Sequence, residues 1–280
     1  MMRVALLGSP EKPLAGEIME RTRRWLAGRA EVVFAQLTFQ SAQALERSPD
    51  LLFVFGGDGT VIAAAHGLRD RQVPIVGINL GKVGYLAEFT LPQLEREGDF
   101  LFNGELPVTR RVMLSARMEC RNGVVFESMA VNDCVVVAGP PFRIVELRVD
   151  VDDDQVAELR CDGLIIATAS GSTAHNLSAG GPILEPTAQA FILTPICPHA
   201  LTFRPLAINA GRRIAVTLRS ANPGTMLVVD GHHNQPFQAG DHLTLSRYPA
   251  DFLLVRNPRR SVWYSLRRKL MWGENPKMRE

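Results

Sequence analysis

One carboxylate stands inside a glycine-rich turn at Gly56-Gly57-Asp58-Gly59-Thr60. Glycine tolerates positive φ and leaves no Cβ between the backbone and a ligand. A turn of this kind ahead of a helix presents free N–H groups at a positive dipole end, which favours phosphate. Asp58 does not belong in a simple phosphate cradle, because a carboxylate repels the anion. Its chemistry is to accept a proton or to bind a hydroxyl or a metal ion.

A second stretch, Asp162 to Pro182, gathers Ser170, Ser172, Thr173, His175, Asn176 and Ser178. Composition alone divides evenly between a serine-rich surface loop and a backbone cradle for a polar ligand such as a nucleotide. The paired Gly180-Gly181 before Pro182 favours a fixed loop. Ser172 lacks the GxSxG elbow and His175 is only its neighbour in sequence, so hydrolysis is disfavoured. Asn132-Asp133 interrupts the strand-like run AVNDCVVVAG. Polar residues in an apolar strand need partners, so a ligand contact or a bulge is expected there. His232 and His233 follow Asp230-Gly231 and read on their own as a surface turn. The six histidines and four cysteines show no zinc spacing.

The elements that must position these residues fall into two textures. Val4–Gly8, Glu31–Ala35, Leu51–Phe55 and Val73–Ile78 read as strands. They alternate with helical segments at Pro13–Gly28, Val61–Leu68 and Leu91–Phe102. That order argues for βαβ units and a parallel sheet, with the Asp58 turn at the carboxyl end of a buried central strand. After residue 106 period-2 patterns dominate, as at Val145–Val151, and the remainder to 255 reads as mostly antiparallel β. Asp152-Asp153-Asp154 invites a metal and reads better as a hairpin tip. Strands are also expected at Leu164–Thr168, Arg213–Leu218, Met226–Val229, His242–Ser246 and Phe252–Val255, and a last helix at Ser261–Trp272. The expected organisation is an α/β domain over 1–105, a mostly β domain over 106–255, and a segment 256–280 that packs back on the first.

At 280 residues, 46% hydrophobic and 21% charged, the chain is an ordinary globular composition with material for two cores. A net charge of +2 does not argue for nucleic acid. The locally basic Arg256–Lys269 segment reads as a solvated face. Cys120, Cys134, Cys161 and Cys197 show no CxxC spacing and read as reduced core thiols. No apolar run reaches membrane-spanning length, and the expected location is the cytoplasm.

Taken together, these blocks resemble the NAD kinase family, of the bacterial ATP- or polyphosphate-dependent type. The resemblance rests on GGDGT at Gly56–Thr60, GINLGKVGYLAEF at Gly77–Phe89 and the Asn132-Asp133 pair. It extends through the Asp162–Pro182 loop and TPICPHALTFRPL at Thr194–Leu206. GGDGT alone is less specific, since diacylglycerol and sphingosine kinases and phosphofructokinases carry related glycine–aspartate signatures; the STAHNLSAGGPI block singles out NAD kinases. A lipid or sugar kinase, and a non-catalytic dinucleotide sensor, are the competing classes. The loop block argues against the first and the intact Asp58 against the second.

The resemblance implies a Rossmann-like α/β domain joined to a β domain, and phosphorylation of the adenosine 2′-hydroxyl of NAD by ATP. It implies Asp58 as general base, with Gly59 against the dinucleotide and Gly56, Gly57 and Thr60 at the phosphate turn. NAD contacts are implied for Asn132, Asp133, Arg143, Arg160 and Asp162, for Thr173, Ala174, His175, Asn176, Leu177 and Ser178, and for His232. Mg²⁺ would come with ATP, with no tightly bound prosthetic group and no metal held by side chains alone. A homodimer or homotetramer is implied, without nucleic-acid or membrane partners. Family members commonly carry Pro-Thr at Ala169-Ser170, tyrosine at His175 and Asn-Glu at Asn132-Asp133. His175 keeps a planar ring and adds a titratable tip.

Overall fold

The computed structural model describes residues 1–38, 41–81, 84–261 and 263–272. The chain forms two compact units, Met1–Thr109 with Leu253–Glu280, and Arg110–Phe252.

The first unit begins β1 (Arg3–Gly8), α1 (Ala15–Leu26), β2 (Glu31–Leu37), α2 (Ser41–Leu45) and β3 (Leu51–Phe55). It continues α3 (Asp58–Leu68), β4 (Ile75–Ile78), α4 (Leu91–Glu97) and β5 (Val108–Arg111). Every residue of β3 and β4 is buried, which is why their sequences are unbroken apolar runs. α1 turns Met19, Trp25 and Leu26 inward and leaves its arginines in water. The single helix expected over 91–102 stops at Glu97 and continues as a 3-10 turn, Gly98–Leu101. Trp25 explains the Gly98 position: a Cβ there would meet the indole ring at 2.6 Å. α2, which sequence reasoning missed, is tied down when Ser41 Oγ donates to the Ala64 carbonyl at 2.7 Å.

The second unit is β throughout except near residue 175. One sheet takes β6 (Leu114–Glu119), β7 (Val125–Ala130), β9 (Val145–Val151), β10 (Asp154–Cys161), β14 (Ile214–Ser220) and β17 (His242–Arg247). The other takes β8 (Asp133–Val137), β11 (Gly163–Thr168), β12 (Ala190–Ile196), β13 (Leu206–Asn209), β15 (Met226–Val229) and β16 (His233–Pro236). Their orders are β10-β9-β14-β17-β6-β7 and β13-β12-β11-β8-β15-β16. Leu147, Val216 and Leu243 of one sheet and Val136, Ile166 and Leu227 of the other share a single core. Between β11 and β12 lie a 3-10 turn, Ser170–Thr173, and the one-turn α5 (His175–Ser178). Asp152 and Asp153 form the β9–β10 hairpin tip, and Asp154 opens β10. Asp152 sits at φ 55°, and Arg212 and Arg213 pair with Asp152 and Asp153 at 2.7 and 3.0 Å.

The chain then returns to the first unit with β18 (Phe252–Val255) and α6 (Tyr264–Leu270). β18 pairs in parallel with β4 and completes the sheet order β2-β1-β3-β4-β18-β5. It therefore belongs with the α/β sheet and not with the antiparallel strands that precede it in sequence. A four-residue apolar run carries no mark of which sheet it joins. Residue 262 of the expected last helix, residues 273–280 of the expected returning segment, and residues 82 and 83 of the glycine-rich block lie outside the described residues.

AVNDCVVVAG is not one strand. β7 ends at Ala130 and β8 begins at Asp133, in different sheets, so Asn132 and Asp133 stand at a corner.

Candidate active site

In the first sheet, β1 leads outward to β2 on one side while β3 and β4 build on the other. The order thus reverses between β1 and β3, the place where open α/β sheets take ligands. β3 ends there in Gly56, whose N–H donates to the Ile78 carbonyl at 2.9 Å. Gly57 caps α3 in extended backbone, φ −92°, and Asp58 is the first helical residue. None of Gly56, Gly57 and Gly59 is at positive φ, contrary to the conformational role expected for them. At Gly56 the requirement is clearance. A Cβ on Gly56 would stand 2.2 Å from Thr60 Oγ1, and one on Gly57 would meet nothing, so that face of the turn is open.

The Asp58 carboxylate is held from the loop after β4. Tyr85 N–H donates to Oδ2 at 2.8 Å; Leu86 and Ala87 N–H donate to Oδ1 at 2.9 and 3.0 Å. The loop closes on β4, with Asn79 N–H donating to the Phe89 carbonyl at 2.7 Å and Phe89 N–H to the Gly77 carbonyl at 3.0 Å. Gly77 is required there, since a Cβ would meet Ala87 Cα and the Leu86 carbonyl at 2.7 Å. Burial, and then the Asp58 charge, raise the Tyr85 phenol above its ordinary value. Among the described residues its hydroxyl is buried without a hydrogen-bond partner.

In the second unit the β7–β8 corner is organised by Asp230. Its Oδ2 accepts from Val131 N–H at 2.7 Å, and its Oδ1 from Asn132 and Asp133 N–H at 2.8 and 3.0 Å. Asp230 N–H returns a bond to the Asp133 carbonyl at 2.9 Å. Asp230 and Gly231 both take positive φ, 48° and 70°, so the turn presents exposed His232 beside this corner. Asp133 is 6% exposed. Its burial, with the Asp230 charge adding to it, pushes the carboxyl up to about 7.

The loop after β11 packs on the same corner. Thr168 N–H donates to the Asn132 carbonyl at 2.8 Å, and Thr168 Oγ1 to the Val131 carbonyl at 2.6 Å. A Cβ on Gly171 would meet the Asn132 carbonyl at 2.1 Å. Asn176 is fully buried. Its amide donates to the Ser172 and Pro182 carbonyls, each at 3.0 Å, and its Oδ1 accepts from Thr194 Oγ1 at 2.7 Å. Asn176 therefore builds the loop. Thr173, Ala174 and Leu177 are half-buried and His175 and Ser178 exposed, which leaves that edge available to a ligand.

Two family models match the chain: the ATP-NAD kinase N-terminal domain over residues 38–106 and the ATP-NAD kinase C-terminal domain over 131–257. NAD kinase of Rhodopirellula baltica is 35% identical over 278 residues, covering 99% of this chain and 89% of that protein. That of Geotalea daltonii is 35% identical, covering 98% and 100%. The chain belongs to the NAD kinase family. It is thus a phosphotransferase of that family. The fold is that of yeast NADH kinase, solved with NADH, at TM-score 0.87 and 22% identity over all of this chain and 90% of that one. An NAD kinase from Archaeoglobus fulgidus, solved with ATP, matches at TM-score 0.75 and 29% identity over 92% and 94%.

The residues implicated by likeness to NAD kinases separate within the second unit. Asn132, Asp133 and the 173–178 loop lie at the Thr168 end of β11. Asp162 lies at its other end, where Ala138 N–H donates to the Asp162 carbonyl at 2.8 Å. Exposed Arg160 is paired with Glu146 at 3.2 Å, and the Arg143 carbonyl accepts from Asn222 Nδ2 at 2.6 Å. A strand of this length sets the two ends roughly 15–20 Å apart. Asp230, Gly84 and Gly171, which position the site, were not singled out from sequence. The Asp-Gly turn at Asp230-Gly231 and the glycines themselves were the available signals.

Proposed function

We propose that the protein transfers the terminal phosphoryl group of ATP to the adenosine 2′-hydroxyl of NAD, giving NADP and ADP, with Asp58 as general base. The observation that carries this is the asymmetry of the Asp58 carboxylate. Oδ1 already accepts two backbone N–H bonds and Oδ2 one, so Oδ2 keeps a free acceptor position for a substrate hydroxyl.

The hydroxyl oxygen attacks the γ-phosphorus as its proton passes to Oδ2. The new O–P bond forms, the bond from the γ-phosphorus to the β–γ bridging oxygen breaks, and the electron pair leaves with ADP. Such transfers depend chiefly on alignment and charge stabilisation. The open face at Gly57 and Gly59 admits the reacting groups. Mg²⁺ travels with ATP as part of the donor. The second unit is the NAD-binding domain, with contacts from Asn132, Asp133, Thr173, Ala174, His175, Leu177, Ser178 and His232. Arg143, Arg160 and Asp162 supply further NAD contacts, with Asp162 at the nicotinamide end. The working form is a cytoplasmic homodimer or homotetramer.

Incubating the pure protein with NAD, ATP and Mg²⁺ and assaying NADP tests the reaction. Asp58→Asn should lower kcat by roughly 10²-fold or more, the usual worth of a general base, with NAD binding kept. A kcat near wild type in that variant would remove Asp58 from the role.

A further inference from the structure

The segment after β18 clasps the loop that holds Asp58. Asn257 N–H donates to Glu88 Oε2 at 3.1 Å. Arg260 donates to the Glu88 carbonyl and to Gln93 Oε1, and its guanidinium lies 4.7 Å over the Tyr264 ring. That stack starts α6, and α6 carries Lys269 back to the same loop. The Lys269 ammonium stands 4.5 Å from the centroid of the Tyr85 ring. Tyr85 is the residue whose N–H binds Asp58 Oδ2.

We propose that Lys269 binds the donor's phosphate chain beside Asp58, drawing its ammonium off the Tyr85 ring onto the polyphosphate oxygens. The acceptor oxygen must come within hydrogen-bond reach of Asp58, and the γ-phosphorus must lie within about 3.5 Å of that oxygen. The donor phosphates therefore gather close to Tyr85, where negative charge needs a cation. Arg259 is paired with Glu97 at 3.3 Å, and Arg260 is engaged by Glu88 and Gln93. Among the described residues no carboxylate lies within 4.0 Å of the Lys269 ammonium. An exposed cation over an aromatic face is weakly held, and a charge-assisted bond to phosphate is stronger. Lysine is a point charge on a flexible stem, suited to that exchange. The basic segment read from sequence as a solvated face thereby gains a ligand, the triphosphate of ATP.

This inference rests on the kinase assignment, and the test separates the two. NADP formation by the full chain is measured first, then ATP and NAD are varied in turn for wild type, Lys269→Ala and Lys269→Arg. Lys269→Ala should raise KM for ATP roughly 10-fold or more, with KM for NAD within about 2-fold, and Lys269→Arg should recover much of the loss. Inhibition by inorganic tripolyphosphate should be competitive with ATP and weaken by a similar factor in Lys269→Ala. An unchanged KM for ATP would overturn the proposal. So would a rise confined to NAD, which would assign Lys269 to the acceptor's pyrophosphate. Equal losses for both substrates with a lowered Tm would also overturn it, as the mark of a structural role. Should wild type form no NADP, the kinase assignment fails by itself. Calorimetric titration of tripolyphosphate into wild type and Lys269→Ala then still decides the lysine, with equal affinities refuting it.

Discussion

A Cβ placed on Gly84 would stand 1.8 Å from Asp58 Oδ1. The glycine of one motif is thus the clearance for the carboxylate of another, and the two blocks act as one device. Gly84→Ala must displace either the Asp58 side chain or the N–H groups of Tyr85, Leu86 and Ala87. A shift of about 1 Å at a reacting group can cost on the order of 10²-fold. The expected outcome is a kcat loss of that order with circular dichroism unchanged. Activity near wild type would separate the two motifs.

Asp230→Ala should destabilise the second unit by about 3 kcal/mol, because three N–H groups at Val131, Asn132 and Asp133 lose their acceptor. The same change should weaken NAD binding through a loosened corner. Denaturant unfolding and an NAD titration check the two effects. A loss below about 1 kcal/mol would mean that water takes over the clamp.

The Asp133 carboxyl, pushed up to about 7, makes stability depend on pH in a definite direction. An unfolded aspartate titrates near about 4. Between those values the folded protein keeps a proton that the unfolded chain has lost, so unfolding releases it. The contribution of this site is complete below pH 4 or so, declines as pH rises toward about 7, and amounts to at most about 4 kcal/mol. Unfolding free energies at pH 5 and pH 8 should fall more steeply for wild type than for Asp133→Asn. Equal slopes would refute the assignment.

Asn176→Ala should act through the fold of the loop. Its amide joins Ser172, Pro182 and Thr194, and removal leaves buried polar groups unpaired at a cost of about 2–3 kcal/mol. Loss of NAD affinity without loss of stability would instead mark it as a direct ligand contact.

Asp58 was legible in the sequence because a charge among glycines is conspicuous. Its surroundings were not, since its three donors are backbone N–H groups of Tyr85, Leu86 and Ala87, and backbone donors carry no residue-type signal. β3 and β15 were read to the residue from their apolar runs and flanking turns. β16, HNQP, escaped because an edge strand with exposed polar side chains shows neither alternation nor an apolar run, and β13, LAIN, because three apolar residues are too short a run to mark a strand. The break in AVNDCVVVAG was marked by the polar Asn132-Asp133 pair, but a polar pair does not say that the chain changes sheets there.

The α/β sheet is discontinuous in sequence: β4 waits for β18, which lies beyond the whole second unit. During synthesis from the N-terminus, the first-made half is therefore among the last to be finished. Until Phe252–Val255 emerges, β4 presents an open edge to whatever other chains are nearby. A product terminated before residue 252 would keep Asp58 and the entire β unit, yet carry a sticky, unfinished sheet.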